Sequence, residues 1–218
     1  IQYRGILPLE MEQLVAEEST GFNIDLNHEF GLAGGATLDI NLLVFTTRVD
    51  NPLRLVEVGV EQFAYRQPDD FLETQGAELG VVWRWNDFKY FFGYTHADVQ
   101  EHTATRVRMA PLMPKDRVNN VFVYEREDDF RIGLEAYYYG RQGLTDGSMA
   151  RDFWIFGLMM EKTIDEDFSV FLNFENFSDT RQTRFGSIYT GSRLNPTFSD
   201  IFAPLDGSVI NGGVKIRL

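Results

Sequence analysis

Three histidines, His28, His96 and His102, are the only imidazoles in a chain of 218 residues. Two of them fall in HADVQEH, where Asp98 and Glu101 add carboxylates that could join a metal site. The spacing matches no established ligand set, so a solvated loop is the plainer reading and no metal is expected. His28 stands near the turn end of an alternating segment with no serine in step, so serine–histidine catalysis lacks its parts. No catalytic residue and no cofactor are assigned. Arginine offers better chemistry: Arg181, Arg184 and Arg193, with Tyr189 between them, could grip an anionic ligand through forked guanidinium bonds. Arg106, Arg108 and Arg141 stand near the bases of other loops and are candidates on the same footing. For all of them the alternative is salt pairing among surface loops.

The bulk numbers remove several classes. A net charge of -13 leaves no basic surplus to neutralise phosphates, which argues against a nucleic-acid partner. Zero cysteines exclude disulfides, thiolate metal sites and a cysteine nucleophile. The longest apolar run, Phe153 to Met160, is far short of the roughly 18 residues a membrane helix needs. The run Glu57, Glu61, Asp69, Asp70 and Glu73 reads as a solvated acidic face. Asn176-Phe177-Ser178 matches a glycosylation sequon.

The candidate residues hang on a repeated pattern: an alternating segment of about ten residues, a tight polar turn, then another alternating segment. FNIDLN sets Phe22, Ile24 and Leu26 against Asn23, Asp25 and Asn27. TLDINLLVF, AELGVVWRW, FKYFFGYT, VNNVFVYE, FRIGLEAYYYGRQ, FWIFGLMMEK, FSVFLNFENF and SVINGGVKIRL follow, making about nine strands. Within 118–125 and 153–162 the apolar face is ambiguous. Tight turns are expected around Gly31–Gly35, Asn86, Glu127 and Asp165. Long loops are expected over about Asp50–Phe71, Ala97–Pro114, Gln142–Arg151 and Ser178–Gly207. Short turns at one end and long loops at the other describe an antiparallel up-and-down barrel or meander, all-β, and a soluble sandwich or ligand-binding β-barrel would also alternate.

Three features favour a membrane barrel. Aromatics crowd the segment ends near the tight turns (Trp83, Trp85, Phe88, Tyr90, Tyr124, Phe130, Phe168), as in the girdles of outer-membrane barrels. Asp25, Asp39, Glu135 and Glu175 lie deep in their segments, where a polar lumen accepts them and a packed core would need each one paired. The last segment alternates to the chain end, although barrel C-terminal strands usually finish on an aromatic and this one finishes on Leu218. Nine strands cannot close an up-and-down barrel, and Ile1 to Met11 falls on the long-loop side. A fragment of a larger barrel is therefore expected. Phe168, Val170, Leu172 and Phe174 should face lipid, with Ser169, Phe171, Asn173 and Glu175 facing the lumen.

PLMPKDRVNNVFVYE, FRIGLEAYYYGRQGLTDGSMARDFWIFGLMMEK, FSVFLNFENFSDTRQTRFGSIYTG and APLDGSVINGGVKIRL, in that order, resemble the C-terminal part of a TonB-dependent outer-membrane receptor barrel of the form common in Bacteroidetes. The resemblance implies a barrel of about 22 strands with a plugged lumen. Residues 1–218 would then be a partial barrel domain, without the N-terminal plug and first strands. It implies energised import of a scarce, bulky ligand (an iron-siderophore, cobalamin or a glycan) through the TonB complex. The partners implied are that small bulky ligand, TonB acting on the absent N-terminal part, and outer-membrane lipid and lipopolysaccharide. Divalent-cation bridging to lipopolysaccharide is a second reading of the acidic run, and a passive porin-like or adhesin barrel is the alternative function.

Overall fold

The computed structural model describes residues 5–7, 14–59, 62–68 and 70–216. Its strands are β1 (Gly5–Ile6), β2 (Glu18–Gly31), β3 (Thr37–Asp50), β4 (Arg54–Gly59), β5 (Gln62–Arg66), β6 (Phe71–Trp85), β7 (Phe88–His102) and β8 (Val107–Met109). They continue as β9 (Asp116–Arg126), β10 (Phe130–Tyr139), β11 (Phe153–Thr163), β12 (Phe168–Glu175), β13 (Tyr189–Ser192), β14 (Asn195–Phe198) and β15 (Val209–Ile216). Among the described residues no helix is long and apolar enough to cross a membrane, which says nothing about crossing by strands.

Nine strands form one antiparallel meander in the order β15-β12-β11-β10-β9-β7-β6-β3-β2, with β8 added against the end of β7. These are the nine alternating segments expected. The tight turns sit where the polar residues put them. Asn86 (φ 49) and Asp128 (φ 57) take the left-handed conformation their turns need, which Asn and Asp tolerate better than most side chains.

Cross-strand register settles the faces, since residues directly opposite share a side of the sheet. Phe168, Val170, Leu172 and Phe174 stand opposite Ile216, Val214, Gly212 and Ile210. Phe174 and Leu172 also face Leu158 and Met160 on the other side. The ambiguous segment 153–162 thus turns Trp154, Phe156, Leu158 and Met160 to the apolar face. Segment 118–125 turns Val118, Phe122 and Tyr124 there, opposite Tyr138, Leu134 and Ile132.

The other face is polar and internally paired. Asn41 donates to Asp25 (2.7 Å), and Asn173 donates to Asn211 (3.1 Å), which donates to Glu175 (2.8 Å). Arg84 pairs with Asp39. Lys89 and Arg131 share Glu125, while Lys215 and Ser169 share Glu161.

Among the described residues no packed core lies behind the apolar face. Among the described residues no large side chain is fully buried, while Phe22, Ile210 and Ile216 are each 64–65% exposed. Two aromatic belts bound the apolar band. At the turn end Trp83, Trp85, Phe88, Tyr124 and Phe130 run ring to ring with centroids 4.9–6.4 Å apart. Toward the loop end Tyr138, Trp154, Phe156, Phe177 and Phe174 do the same at 5.1–5.8 Å. From Phe130 to Tyr138 along β10 is about 26 Å at ~3.3 Å per residue, close to the apolar band height of a membrane barrel.

Several loop boundaries differ from expectation. β7 runs through His102 and β6 begins at Phe71, so His96, His102 and Glu73 belong to strands. The loop over 51–70 contains the β4–β5 hairpin, joined by β1 in parallel, which places Gly5–Ile6 on the loop side. The loop over 176–208 contains the β13–β14 hairpin. The reason is physical: apolar alternation stops at the edge of the apolar band, but backbone ladder bonds continue with any side chain. Glu61, Asp69 and Leu218, and the side chain of Glu57, lie outside the described residues.

Candidate functional site

The sequence candidates cluster at the loop end, where three connections knit into one assembly. Leu112 N–H donates to the Gly143 carbonyl (2.8 Å), joining the β7–β9 and β10–β11 connections. Thr145 donates from its backbone N–H (2.6 Å) and its hydroxyl (2.9 Å) to Asp200, and Gln142 donates to the Phe202 carbonyl (3.2 Å). Both reach across to the β12–β15 connection.

Phe202 and Phe185 of that long connection pack against Phe153, 6.5 and 6.0 Å between centroids, and Phe153 stacks on Tyr139 at 5.1 Å. Tyr139 and Phe153 share the polar-face parity of Arg131 and Glu161. The longest loop is therefore folded inward over the polar side of the wall.

Two carboxamides hold that inward fold. Gln182 is 2% exposed. Its oxygen accepts from the Phe202 and Ala203 N–H groups, and its amide donates to the Asp200 carbonyl. Asn176, at φ 47, donates to the Thr180 carbonyl (2.8 Å) and accepts from the Thr180 N–H (3.0 Å). The Asn176 side chain is thus buried and consumed by the turn. Sequence reasoning missed Gln182 because a lone glutamine in a polar loop carries no periodic signal.

Arg181 and Arg184 converge on Asp179 from one turn, Arg181 at 3.3 Å. Burial pushes the Asp179 carboxyl upward, but the Arg184 and Arg181 guanidiniums outweigh it and hold it below the usual carboxylate range. Arg108 donates to Glu101 at 2.6 Å, and Glu101 also pairs with Arg54 at 2.8 Å, a buried bridge that ties the β3–β6 connection to β7. Arg106 and Arg108 line a cavity of about 310 Å³ with Gly143–Met149. Asp146 is in the same lining, kept ionised by the Ser148 hydroxyl (2.7 Å) and N–H (2.8 Å). Arg141 donates to the Ala150 carbonyl (3.3 Å). Tyr189 and Arg193 stand apart on the exposed β13–β14 hairpin, Tyr189 against Phe198.

Five of the seven candidates thus sit in the three-loop assembly. Arg108, Arg181 and Arg184 are also ion-paired, as the alternative reading of them held. His96 and His102 are carried on β7, each against one carboxylate, Asp116 (2.8 Å) and Glu73 (3.1 Å). Among the described residues no group of three or more histidines and carboxylates is placed to hold a metal ion.

Residues 11–177 match the family model described as TonB dependent receptor-like, beta-barrel. No curated protein matches the sequence. Among solved structures, the copper transporter OprC superposes with a TM-score of 0.71 at 13% identity, over 94% of this chain and 32% of that one. The ferric-catecholate import receptor Fiu from E. coli K12 gives 0.59 at 14%, over 90% and 27%. The pyoverdine receptor FpvA from Pseudomonas aeruginosa PAO1 gives 0.59 at 16%, over 92% and 30%. The chain therefore spans about a third of the length of these structures.

Proposed function

The chain belongs to the family of TonB-dependent receptor β-barrels, bacterial outer-membrane proteins, and on that premise we propose that it is the C-terminal wall of an energised importer. The complete protein would close β2 and β15 with further strands, to about 22 in all, around an N-terminal plug. Its ligand is a scarce, bulky one of the iron-siderophore, cobalamin or glycan class, and TonB drives rearrangement of the plug. The observation that carries the reading is the long last loop folded inward over the polar wall by Gln182, Asn176 and the Phe153 cluster. An importer needs such a surface at the mouth, where ligand and plug meet.

The fold supports the membrane setting on energetic grounds. An apolar band of lipid-facing side chains loses nothing in hydrocarbon but would expose a large contiguous patch in water. Lipid and lipopolysaccharide around the band follow from that setting. Siderophore and copper import by the similar structures support a transport role rather than an enzymatic one.

Arg181, Arg184, Arg193 and Tyr189, with Arg106, Arg108 and Arg141, are the proposed ligand contacts. A carboxylate or catecholate ligand would compete with Asp179 for Arg181 and Arg184. The test is uptake of radiolabelled ferric siderophores, cobalamin and oligosaccharides by cells carrying the complete gene, with and without TonB. TonB-dependent accumulation of one class, reduced in R181A/R184A, is the expected result. Uptake that ignores TonB would sink the energised mechanism in favour of a passive channel.

A further inference from the structure

The short strand β8 has a neighbour on one side. It pairs with the loop end of β7, with Val107 opposite His102, Arg108 opposite Glu101 and Met109 opposite Gln100. The Ala110 N–H donates to the Val99 carbonyl and the Thr103 N–H to the Arg106 carbonyl, both at 2.9 Å. Hydrogen-bonded pairs alternate along an antiparallel ladder, so Arg108 turns its main chain to β7 while Val107 and Met109 turn theirs away. Among the described residues no group meets the main-chain N–H or C=O of either. β8 therefore ends the sheet there on an open edge.

That edge borders the cavity of about 310 Å³ between β8 and the turn Gly143–Met149. The turn is closed on itself, with the Leu144 N–H donating to the Ser148 carbonyl (2.8 Å), so it does not reach over to complete the ladder. The charges of the lining differ in how far they are used. Arg108 is taken by Glu101. Arg106 has no ion pair among the described residues, although its backbone N–H is held by the Thr103 hydroxyl (3.2 Å). Asp146 engages Ser148 through Oδ1 alone.

We propose that this cavity binds a short peptide in extended form, added to β8 as an antiparallel strand with its C-terminal carboxylate on Arg106. The proposal rests on the reading of these loops as the ligand-facing mouth and goes beyond the ligand classes named there. The occupant follows from the edge. Donors and acceptors repeated at strand spacing are met in register by another extended main chain, whereas a sugar offers hydroxyls without that repeat. Antiparallel pairing runs the added chain from Met109 toward Val107, so its carboxyl end finishes beside Arg106, whose fork suits a carboxylate. Asp146, the carboxylate in the lining, suits an ammonium group. The free stretch is short, matching about three peptide residues at ~3.3 Å each. Met109 and Met149 supply adaptable thioether walls, so the side chains of the peptide are read loosely.

The test is isothermal titration of trialanine into the complete receptor, purified in mild detergent and shown to be folded by heat-modifiable migration. Wild type is expected to bind trialanine, and to bind its C-terminal amide roughly tenfold or more weakly, because a hydrogen bond to a charged group is lost. Arg106→Ala should weaken trialanine by the same factor and leave the amide unchanged. Trialanine methylated on its main-chain nitrogens should not bind. Met109→Pro deletes an N–H on the open side and spares the ladder to β7, and it should abolish binding. Should it fail to fold, Val107→Pro does the same at the other end of the edge and must show the loss instead. No binding of trialanine by wild type, binding of maltotriose in its place, or full affinity in a folded Met109→Pro or Val107→Pro overturns the proposal. TonB-dependent uptake, scored separately, reports on the transport reading and not on this site.

Discussion

The two halves of the wall reach the long-loop side by different means. β2, β3, β6 and β7 are 14–15 residues long, whereas β9 to β12 and β15 are 8–11. In the first half the sheet itself overshoots the apolar band, roughly 50 Å of strand against a band of about 25 Å. Its outward collar is built of paired polar and charged groups such as Arg48–Asp50, His102–Glu73 and Lys115–Asp98. In the second half the strands stop near the aromatic belt, and folded loops take over through buried carboxamides. Ladder bonds hold up a tall strand whatever its side chains are. A loop folded inward depends on a few particular side chains, so it is easier both to disrupt and to specialise.

The strongest test of that contrast is Gln182→Leu. It strands the Phe202 and Ala203 N–H groups and should cost roughly 2–6 kcal/mol of local stability, since each buried donor left unpaired costs about 1–3. Limited proteolysis should then cut within 199–206 while the sheet stays resistant. Cleavage no faster than wild type would show that the aromatic cluster alone holds the loop.

Gly76→Ala probes the tall half. A Cβ there would stand 2.2 Å from the His96 carbonyl and 2.8 Å from Phe45. Forcing β6 from β7 should cost about 1–3 kcal/mol, read as earlier unfolding in urea with the loop lock unaffected.

A third test is pH. The Asp179 carboxyl lies below its ordinary value, so its contribution is present above the unfolded value near ~3.9 and fades as pH falls through the lower folded value. Hydrogen exchange of 179–185 should therefore be flat from neutral pH to about pH 5, once corrected for intrinsic rates, and should rise only below about pH 4. D179N should abolish that acid step.

Arg48→Ala should do least. It removes one exposed pair, with Asp50, and a contact over the Phe71 ring, and because water screens such a pair urea unfolding should barely shift. A larger loss would mean that the collar depends on its ion pairs rather than on the ladder.

Much of this could be read without coordinates. The face of each strand followed from alternation wherever polar and apolar residues are cleanly separated, as in FNIDLN and FSVFLNFE. It was ambiguous in FWIFGLMM, where both faces carry apolar groups and only the register with β10 and β12 decides. Strand length was underestimated in β6 and β7 because hydrophobicity reports the lipid and not the hydrogen-bond ladder. HADVQEH therefore read as a loop although it is the end of a strand.

The sequence by itself determined the class of object: nine alternating segments, short turns against long loops, polar and apolar faces, aromatic ends, and too little basic charge for nucleic acid. These are local properties, set by a side-chain period of two and by the chemistry of each face. Tertiary structure alone decided the height of the wall, the pairing of Arg181 and Arg184 on Asp179, and the lock at Gln182. Each depends on residues brought together from distant parts of the chain, 20 positions apart for Gln182 and Phe202 and 55 for Thr145 and Asp200. No periodicity can encode such a contact, because it exists only once the ladder has set the strands side by side.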